Sequence, residues 1–407
     1  MPEDIDVVII GAGQAGLATS HELGRHGIEH VVLESTVPGS SWLGRWDSFT
    51  LVGPNHTVRL PGAPYAGADP SGFMSRTEIA DHLQAYAGRL GRVREGVPVR
   101  ALVPRERGGF DLRTDGDTVR SRLVVAATGA YQKPHVPPAL AGLSREILCV
   151  DVQHYRNPGA LPEGAVLVVG SGQSACQIAE ELVLSGRDVV MACGRAPWFL
   201  RRVGDRDLFE WMLDTQFFEQ TVDQLPSPAA RHGANPQASG AGGGHDLHYR
   251  TLAALGVRLV GHLGDVDGHT ARFAPDLPEI IAAGDAGFEF IGRLVVECCT
   301  RTGRPVPDIP EPGALDTTAP TEVDLRGFGA VVVAAGFRSR YTEWIDVPGL
   351  VDEQGFPVHV DGESTVAPDL HFVGVHFLRR RRSSLLFGVG DDAAATAQRI
   401  ASRLAPT

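Results

Sequence analysis

Two stretches of this chain obey the same local rule, and together they leave the fold little freedom. The first is Val7-Val8-Ile9-Ile10-Gly11-Ala12-Gly13-Gln14-Ala15-Gly16, four β-branched apolar residues running into a glycine-spaced turn. A strand with no polar side is one covered on both faces, as in a parallel sheet. Gly11 permits the tight turn out of it, Gly13 lets backbone approach a pyrophosphate, and Gly16 lets the following helix lie close. That helix aims its unpaired N–H groups and positive end at the anion. A second strand, His30 to Leu33, then delivers Glu34, whose carboxylate accepts hydrogen bonds from the ribose hydroxyls of an adenosine. Strand before, helix after and acid at the next strand end make the motif specific.

The pattern returns about 160 residues later. Ala165 to Val169 is again a buried strand, and Gly170-Ser171-Gly172-Gln173-Ser174-Ala175 is again a turn opening a helix, which the spacing carries to Gly186. Alanine replaces the third glycine, which the fingerprint allows. The next strand, Asp188 to Ala192, leads to Cys193-Gly194-Arg195, placing an arginine where the first unit has Glu34. An acid pairs with a free 2'-hydroxyl and an arginine with a 2'-phosphate. Two units therefore predict two dinucleotides, the second NADP-like. Arg201 and Arg202 read either as additions to that phosphate site or as surface arginines. The fold expected is α/β, with two Rossmann-like dinucleotide-binding domains of three layers each.

Other strands end in small residues, where open α/β sheets bind ligands. Leu123 to Gly129 ends in Thr128-Gly129, Ala330 to Phe337 turns at Gly336, and Leu370 to Val373 stops at Gly374. Val97–Val99 and Phe110–Arg113 read as strands of a meander, Thr77–Leu90 as an amphipathic helix, and Tyr131–Pro138 as a proline-rich linker. The segment 204–325 reads as insertions, with an aromatic stretch at Trp211, Met212, Phe217 and Phe218. It also holds a flexible or ligand-facing loop, Gly240–Gly244, and a proline-rich tail from Pro305 to Pro320. The predicted division is residues 1–160 with 326–407 for the first domain, discontinuous in sequence, and 161–325 for the second.

A net charge of −12 opposes binding to nucleic acid or an anionic membrane surface. No apolar run reaches the length of a bilayer span, and the first strand begins within a few residues of Met1, so the expected location is the cytoplasm. None of the five cysteines falls in C-x-x-C spacing, which argues against a zinc site or a dithiol centre. Arg379 to Arg382 reads either as a solvated charge run or as a cationic site for an anionic cofactor or substrate.

Taken with Ser41-Trp42, Arg45-Trp46-Asp47-Ser48-Phe49, Gly53-Pro54-Asn55 and Tyr155-Arg156-Asn157-Pro158, these motifs resemble the flavin-containing monooxygenases over nearly the whole chain. The likeness is to their short bacterial branch. It implies that Gly11, Gly13, Gln14, Ala15, Gly16 and Glu34 hold the ADP half of FAD. It also implies that Ser41, Trp42 and Trp46 line the flavin and Val99 the adenine. Thr128, Gly129, Gly336 and Gly374 would complete the FAD site, and Gly170, Ser171, Gly172, Gln173, Ser174, Ala175 and Arg195 would hold NADPH. Asn55 matches the family's asparagine beside the flavin ring, the one catalytic residue the resemblance supplies. The implied reaction passes hydride from NADPH to flavin and adds oxygen at flavin carbon 4a. The resulting hydroperoxide oxygenates a nitrogen or sulfur centre of a small molecule. Two departures stand out: Asp151-Val152 occupies the place of the family's usual His-Ser, and Ala334-Ala335-Gly336 replaces Ala-Thr-Gly. The alternatives are an NADPH oxidase, a Baeyer–Villiger enzyme, a flavin reductase or a non-catalytic redox sensor.

Overall fold

In the computed structural model, which describes residues 3–405, the first apolar run is the end of a longer strand, Glu3–Ile10. His30–Leu33 and Thr118–Ala126 flank it in parallel, setting Ile10 against Leu33 on one side and Ala126 on the other. Val93–Arg94 and Leu370–Phe372 extend the parallel run at its two ends. Alternation of side chains across a strand then divides the core in two. Val7 and Ile9 pack beneath the helices Gln14–Arg25, Arg76–Leu90 and Val389–Leu404. Val8 and Ile10 pack on the other face with Leu102, Phe110 and Leu112 of an antiparallel meander, Val99–Pro104 and Phe110–Thr114. The meander's first strand begins later than expected: Val97 donates its N–H to the carbonyl of Glu34, and ladder pairing starts at Val99.

A second parallel sheet runs in the order Leu148–Asp151, Phe328–Val333, Ala165–Val169, Val189–Ala192 and Arg258–Val260. The helix Gln173–Leu184 covers the face that carries Val166 and Val168. Leu167 and Val169 face a three-stranded antiparallel layer containing Val266, Ala271 and Phe273.

This topology corrects the predicted division. Residues 148–151 and 328–333 had been expected in the first domain, yet both are strands of the second sheet. The cause is the register of Val166–Val169 with Ala330–Val333, which completes a buried parallel ladder. The chain crosses between sheets at Lys133–Pro134 and back at Phe337–Arg338, and these two crossings pair antiparallel.

The aromatic stretch after residue 207 is core. Trp211, Met212, Phe217 and Phe218 pack with Phe199 and Phe288, the latter on the helix Leu277–Thr302. The Gly240–Gly244 loop is not ligand-facing: a Cβ on Gly240 would fall 1.9 Å from the carbonyl oxygen of Leu51, and Phe73 lies against the same turn. No helix among the described residues is long and apolar enough to cross a membrane.

Candidate cofactor and active site

The two registers bring the strand ends of each sheet side by side, so Gly11, Glu34 and Thr128 meet in one crevice and Gly170, Arg195 and Gly336 in another. Among the described α-helices longer than four residues, the two that start at these crevices alone combine no side-chain cap with no acid in the first turn. Leu277–Thr302 and Val389–Leu404 also lack a cap but carry Glu279 and Asp391 there. Arg76–Leu90 is capped by Ser75 and Leu208–Asp214 by Asp207, each in a capping box. The helices that begin after Gly13 and Gly172 have no side-chain cap and no acid in the first turn. Their first N–H groups are left for another partner.

The glycines themselves divide into two kinds. Gly11 lies at φ +103°, and a Cβ there would sit 2.7 Å from the Ala127 carbonyl oxygen. A Cβ on Gly16 would sit 1.8 Å from the Gly11 carbonyl oxygen, so Gly16 serves helix-on-strand packing and does not line the cavity. Ala175 holds the corresponding place in the second unit, fully buried and likewise off the lining. Gly13 and Gly172 are extended, a conformation any residue adopts. A Cβ on Gly13 would meet nothing within 4 Å, and one on Gly172 only the Ala234 methyl at 4.0 Å. Neither backbone conformation nor packing against protein atoms explains these two glycines.

Glu34 is buried at its strand end. Its Oε2 accepts the Ala12 N–H at 2.7 Å, and Oε1 accepts from Ser35 and from the Thr36 N–H, both at 3.0 Å. A carboxylate oxygen has two lone pairs, so Oε2 keeps capacity for a ribose hydroxyl. Arg195 is exposed and makes no hydrogen bond or ion pair among the described residues, while Tyr249 fixes its turn by donating to the Gly194 carbonyl at 2.6 Å. The donor set therefore fits FAD at the first crevice and a 2'-phosphorylated dinucleotide at the second.

Both crevices open into one cavity of about 1460 Å³. That exceeds the roughly 300–1,000 Å³ of an ordinary small-molecule site. Its lining includes Gly11, Gly13, Gln14, Ala15, Glu34, Ser41, Trp42, Val99, Thr128 and Gly129 from the first set of expected residues. It includes Gly170, Ser171, Gly172, Gln173, Ser174, Arg195, Gly336 and Gly374 from the rest. Trp42 donates its indole N–H to Oε1 of Gln14 at 3.1 Å, and Gln14 donates in turn to the Ser384 carbonyl at 2.9 Å.

Three expectations fail here. Trp46 is 1% exposed, edge-on to Phe49 at 5.1 Å, and belongs to the core; Phe49 reaches the cavity in its place. Asn55 does not line the cavity. Its amide donates to the Asp69 carbonyl at 2.9 Å and accepts the Met74 N–H at 2.7 Å, which commits both ends to its own loop. Arg201 is buried, with its guanidinium 2.8 Å from Asp207 and donating to the Val52 carbonyl, away from the second crevice.

The remaining motif residues act as braces. Arg156 donates to the Gly44 carbonyl at 2.7 Å and Asn157 to Asp47 at 2.6 Å, binding the tryptophan-bearing turn to the strand that opens the second sheet. His154 lines the cavity, and its Nδ1 lies 2.9 Å from Asp151. Gln132 donates to the Thr128 hydroxyl at 3.0 Å and accepts the Arg340 N–H at 2.7 Å, tying the two crossings.

Sequence reasoning did not single out Arg231, His376 or Phe377, all on the lining. Neither repeats nor periodicity marks them; the position of His376 just beyond Gly374 was the available signal. His376 stands edge-on to Tyr131 at 4.9 Å, its Nδ1 3.0 Å from the Ser384 hydroxyl. Burial, then the cations His232, Arg231 and Arg381, push its imidazole down to about 4. Cys193 is the single cysteine on the lining, and burial pushes its thiol up to about 12.

Residues 8–207 match the family model of the pyridine nucleotide-disulphide oxidoreductases. The chain is 29% identical over 399 residues to an uncharacterized oxidoreductase CzcO-like of Geobacillus kaustophilus, covering 97% of each. It is 29% identical over 246 residues to flavin-containing monooxygenase 3 of Macaca mulatta, covering 54% of this chain and 46% of that one. A solved flavin-containing monooxygenase from Stenotrophomonas maltophilia superposes with a TM-score of 0.71 at 20% identity, over 99% of this chain and 100% of the other.

Proposed function

We propose that the chain is an NADPH- and dioxygen-dependent flavin monooxygenase, a reading supported by its likeness to flavin-containing monooxygenase 3 and to pyridine nucleotide-disulphide oxidoreductases. Its substrate is a small molecule with a soft nitrogen or sulfur centre. The observation that carries this reading is the pair of uncapped helix starts, one beside Glu34 and one beside Arg195, facing a single cavity.

Bound FAD supplies hydride acceptance from NADPH and activation of dioxygen, chemistry that no side chain provides. The chain's own residues bind, orient and exclude. The N–H groups after Gly13 would hold the FAD pyrophosphate, and Glu34 would accept from the adenosine ribose. Trp42, fixed by Gln14, would line the ring system, while the N–H groups after Gly172, together with Arg195, would hold NADPH. Phe49, Phe209, Phe218 and Phe387 make the lining apolar, which keeps water from the reacting centre. In balance, NADPH, one proton, dioxygen and substrate give NADP+, water and the oxygenated product. Disulfide chemistry is disfavoured, since the thiol of Cys193 stays protonated.

One observation favours an NADPH oxidase as the second reading: Asp151-Val152 stands where the family usually carries His-Ser, and the nearby His154 is held by Asp151 at 2.9 Å. Turnover under isotopically labelled dioxygen with a thioether and a tertiary amine separates the two. The monooxygenase yields product carrying one labelled oxygen per NADPH consumed. Stoichiometric hydrogen peroxide with unlabelled substrate returned overturns it in favour of the oxidase.

A further inference from the structure

Arg379, Arg380 and Arg382 are ion-paired: Arg379 lies 3.7 Å from Asp392, Arg380 lies 2.8 Å from Glu219, and Arg382 lies 2.9 Å from Asp391. Arg381 differs from its neighbours. It is the member of the run that lines the cavity, and it has no carboxylate partner among the described residues. Its guanidinium lies 4.5 Å from the ring centre of Phe217 and 4.9 Å from that of Phe377. Neutral acceptors hold it: Nε and one terminal nitrogen donate to Gln220, and the other donates to Asn235 at 3.2 Å. Of the five N–H bonds of a guanidinium, these three contacts leave two free.

The surroundings say what those two N–H groups meet. Phe217 packs on Phe218 at 5.3 Å and Phe218 on Phe387 at 4.8 Å, and Phe209, Met212, Phe218 and Phe387 line the adjoining wall. A second cation, Arg231, is 7% exposed on the same lining, stacked 3.7 Å over Phe356, with its Nε unpartnered. Asp352, 3.2 Å from Arg231, is the carboxylate it pairs with, so positive charge is in surplus at this end of a chain whose net charge is −12. Burial pushes the Arg381 guanidinium down to about 10, as it does for a cation lacking a counter-charge.

We propose that Arg381 is a specificity-determining residue that pairs with a carboxylate of the substrate, so that the enzyme takes amphiphilic acids: a carboxylate at Arg381 and an aromatic or long alkyl body against the phenylalanine wall. The proposal rests on the monooxygenase reading only for what happens to the substrate after it binds. Dinucleotide phosphate is the competing partner, because Asn235 follows Ala234, the neighbour of Gly172. The apolar wall beside Arg381 favours an organic body over a phosphate.

The test measures binding to the FAD-loaded protein by calorimetry, with phenylthioacetate, hydrocinnamate and decanoate, each against its primary amide. At least one acid is expected to bind about tenfold or more tightly than its amide, the range of a hydrogen bond to a charged group. Arg381→Gln should abolish that preference, and Arg381→Lys should retain part of it, with NADP+ affinity unchanged in both. Equal affinity, or no binding, in every pair overturns the proposal. So does weakened NADP+ binding in Arg381→Gln, which would give the side chain to the dinucleotide. Phenylthioacetate that binds selectively yet is never oxygenated leaves the proposal standing and counts against the monooxygenase reading. Oxygenation of acid and amide with equal efficiency does the reverse.

Discussion

The amide of Asn157 donates to one carboxylate oxygen of Asp47 at 2.6 Å, while Arg76 donates to the other at 2.6 Å. One half-exposed side chain thereby joins the turn that follows Trp42, the start of a helix and the entry to the second sheet. Asp47→Ala should cost on the order of 1 kcal/mol, the lower end for charge-assisted bonds because water competes at this site. Asn157→Ala added to it should cost only what the loss of its cap on the Ala160 N–H costs, about 1 kcal/mol. Denaturant titration of the four proteins of the cycle measures the coupling, and additive losses would mean that the contact contributes nothing.

Gly13→Val should leave the apoprotein's unfolding midpoint nearly unchanged, since a Cβ there has no protein atom within 4 Å, but yield protein without yellow colour. Gly16→Val is expected to fail differently, by loss of soluble folded protein, because its Cβ collides with the Gly11 carbonyl. Absorbance spectra and thermal melts distinguish the two. A yellow Gly13→Val protein would remove FAD from the first crevice.

Arg195→Ala should raise KM for NADPH by about tenfold to a hundredfold, the range of a charge-assisted hydrogen bond, and leave KM for NADH unchanged. Steady-state kinetics with both nucleotides checks this. Equal changes for the two would deny Arg195 the 2'-phosphate.

The pH dependence of stability follows from buried histidines. His248 caps a helix by accepting the Arg250 N–H on Nδ1 at 3.2 Å, with its ring 4.0 Å from that of Trp198, and burial pushes it down to about 4. His359 is pushed down to about 4 by the same cause. Between about pH 6.5 and 4 the unfolded chain binds protons that the native state refuses. The stabilisation is whole above pH 6.5 and is lost as pH falls toward 4, up to about 3 kcal/mol for His248. Asp392, raised to about 6 by burial, runs the other way and returns part of the loss below that pH. The melting midpoint should therefore fall on acidification below pH 6.5, and His248→Asn, which keeps a capping acceptor, should flatten the fall. A midpoint constant from pH 7 to 5 would contradict the assignment.

Trp42 and Trp46, four residues apart, should respond differently to alanine. Trp46→Ala removes a fully buried ring and should cost about 3–5 kcal/mol. Trp42→Ala should change the flavin spectrum with a smaller loss of stability. Melting and absorbance of the two variants decide this.

The strand–turn–helix units were legible because their physics is local: apolar run, turn and strand-end residue all fall within a few dozen positions. Everything read from that logic, from Gly11 to Glu34 and from Gly170 to Arg195, lies at a strand end on the cavity, except Gly16 and Ala175, which pack the helix. What was misread depended on distant partners. Asn55 is decided by Asp69 and Met74 and Trp46 by burial in a core drawn from many separate segments, and nothing in the local sequence tells a lining ring from a core ring. The extent of the second sheet escaped for a related reason, since a parallel ladder pairs residues with no periodic relation in sequence. Arg381 could be separated from three identical neighbours only by what each side chain touches.

The interleaving of the two sheets also sets an order of assembly during synthesis. All five strands of the second sheet have been made once Val333 is polymerised, while the first still lacks Leu370–Phe372 and the helix Val389–Leu404 that packs on Gln14–Arg25. The segment made first is thus the last to be finished. On a ribosome, the nascent Thr118–Ala126 strand must wait with the edge that Leu370–Phe372 covers unpaired until those residues have emerged. A chain released early would carry a completed nucleotide-binding unit attached to an unclosed one, with the apolar strand Thr118–Ala126 as its sticky margin.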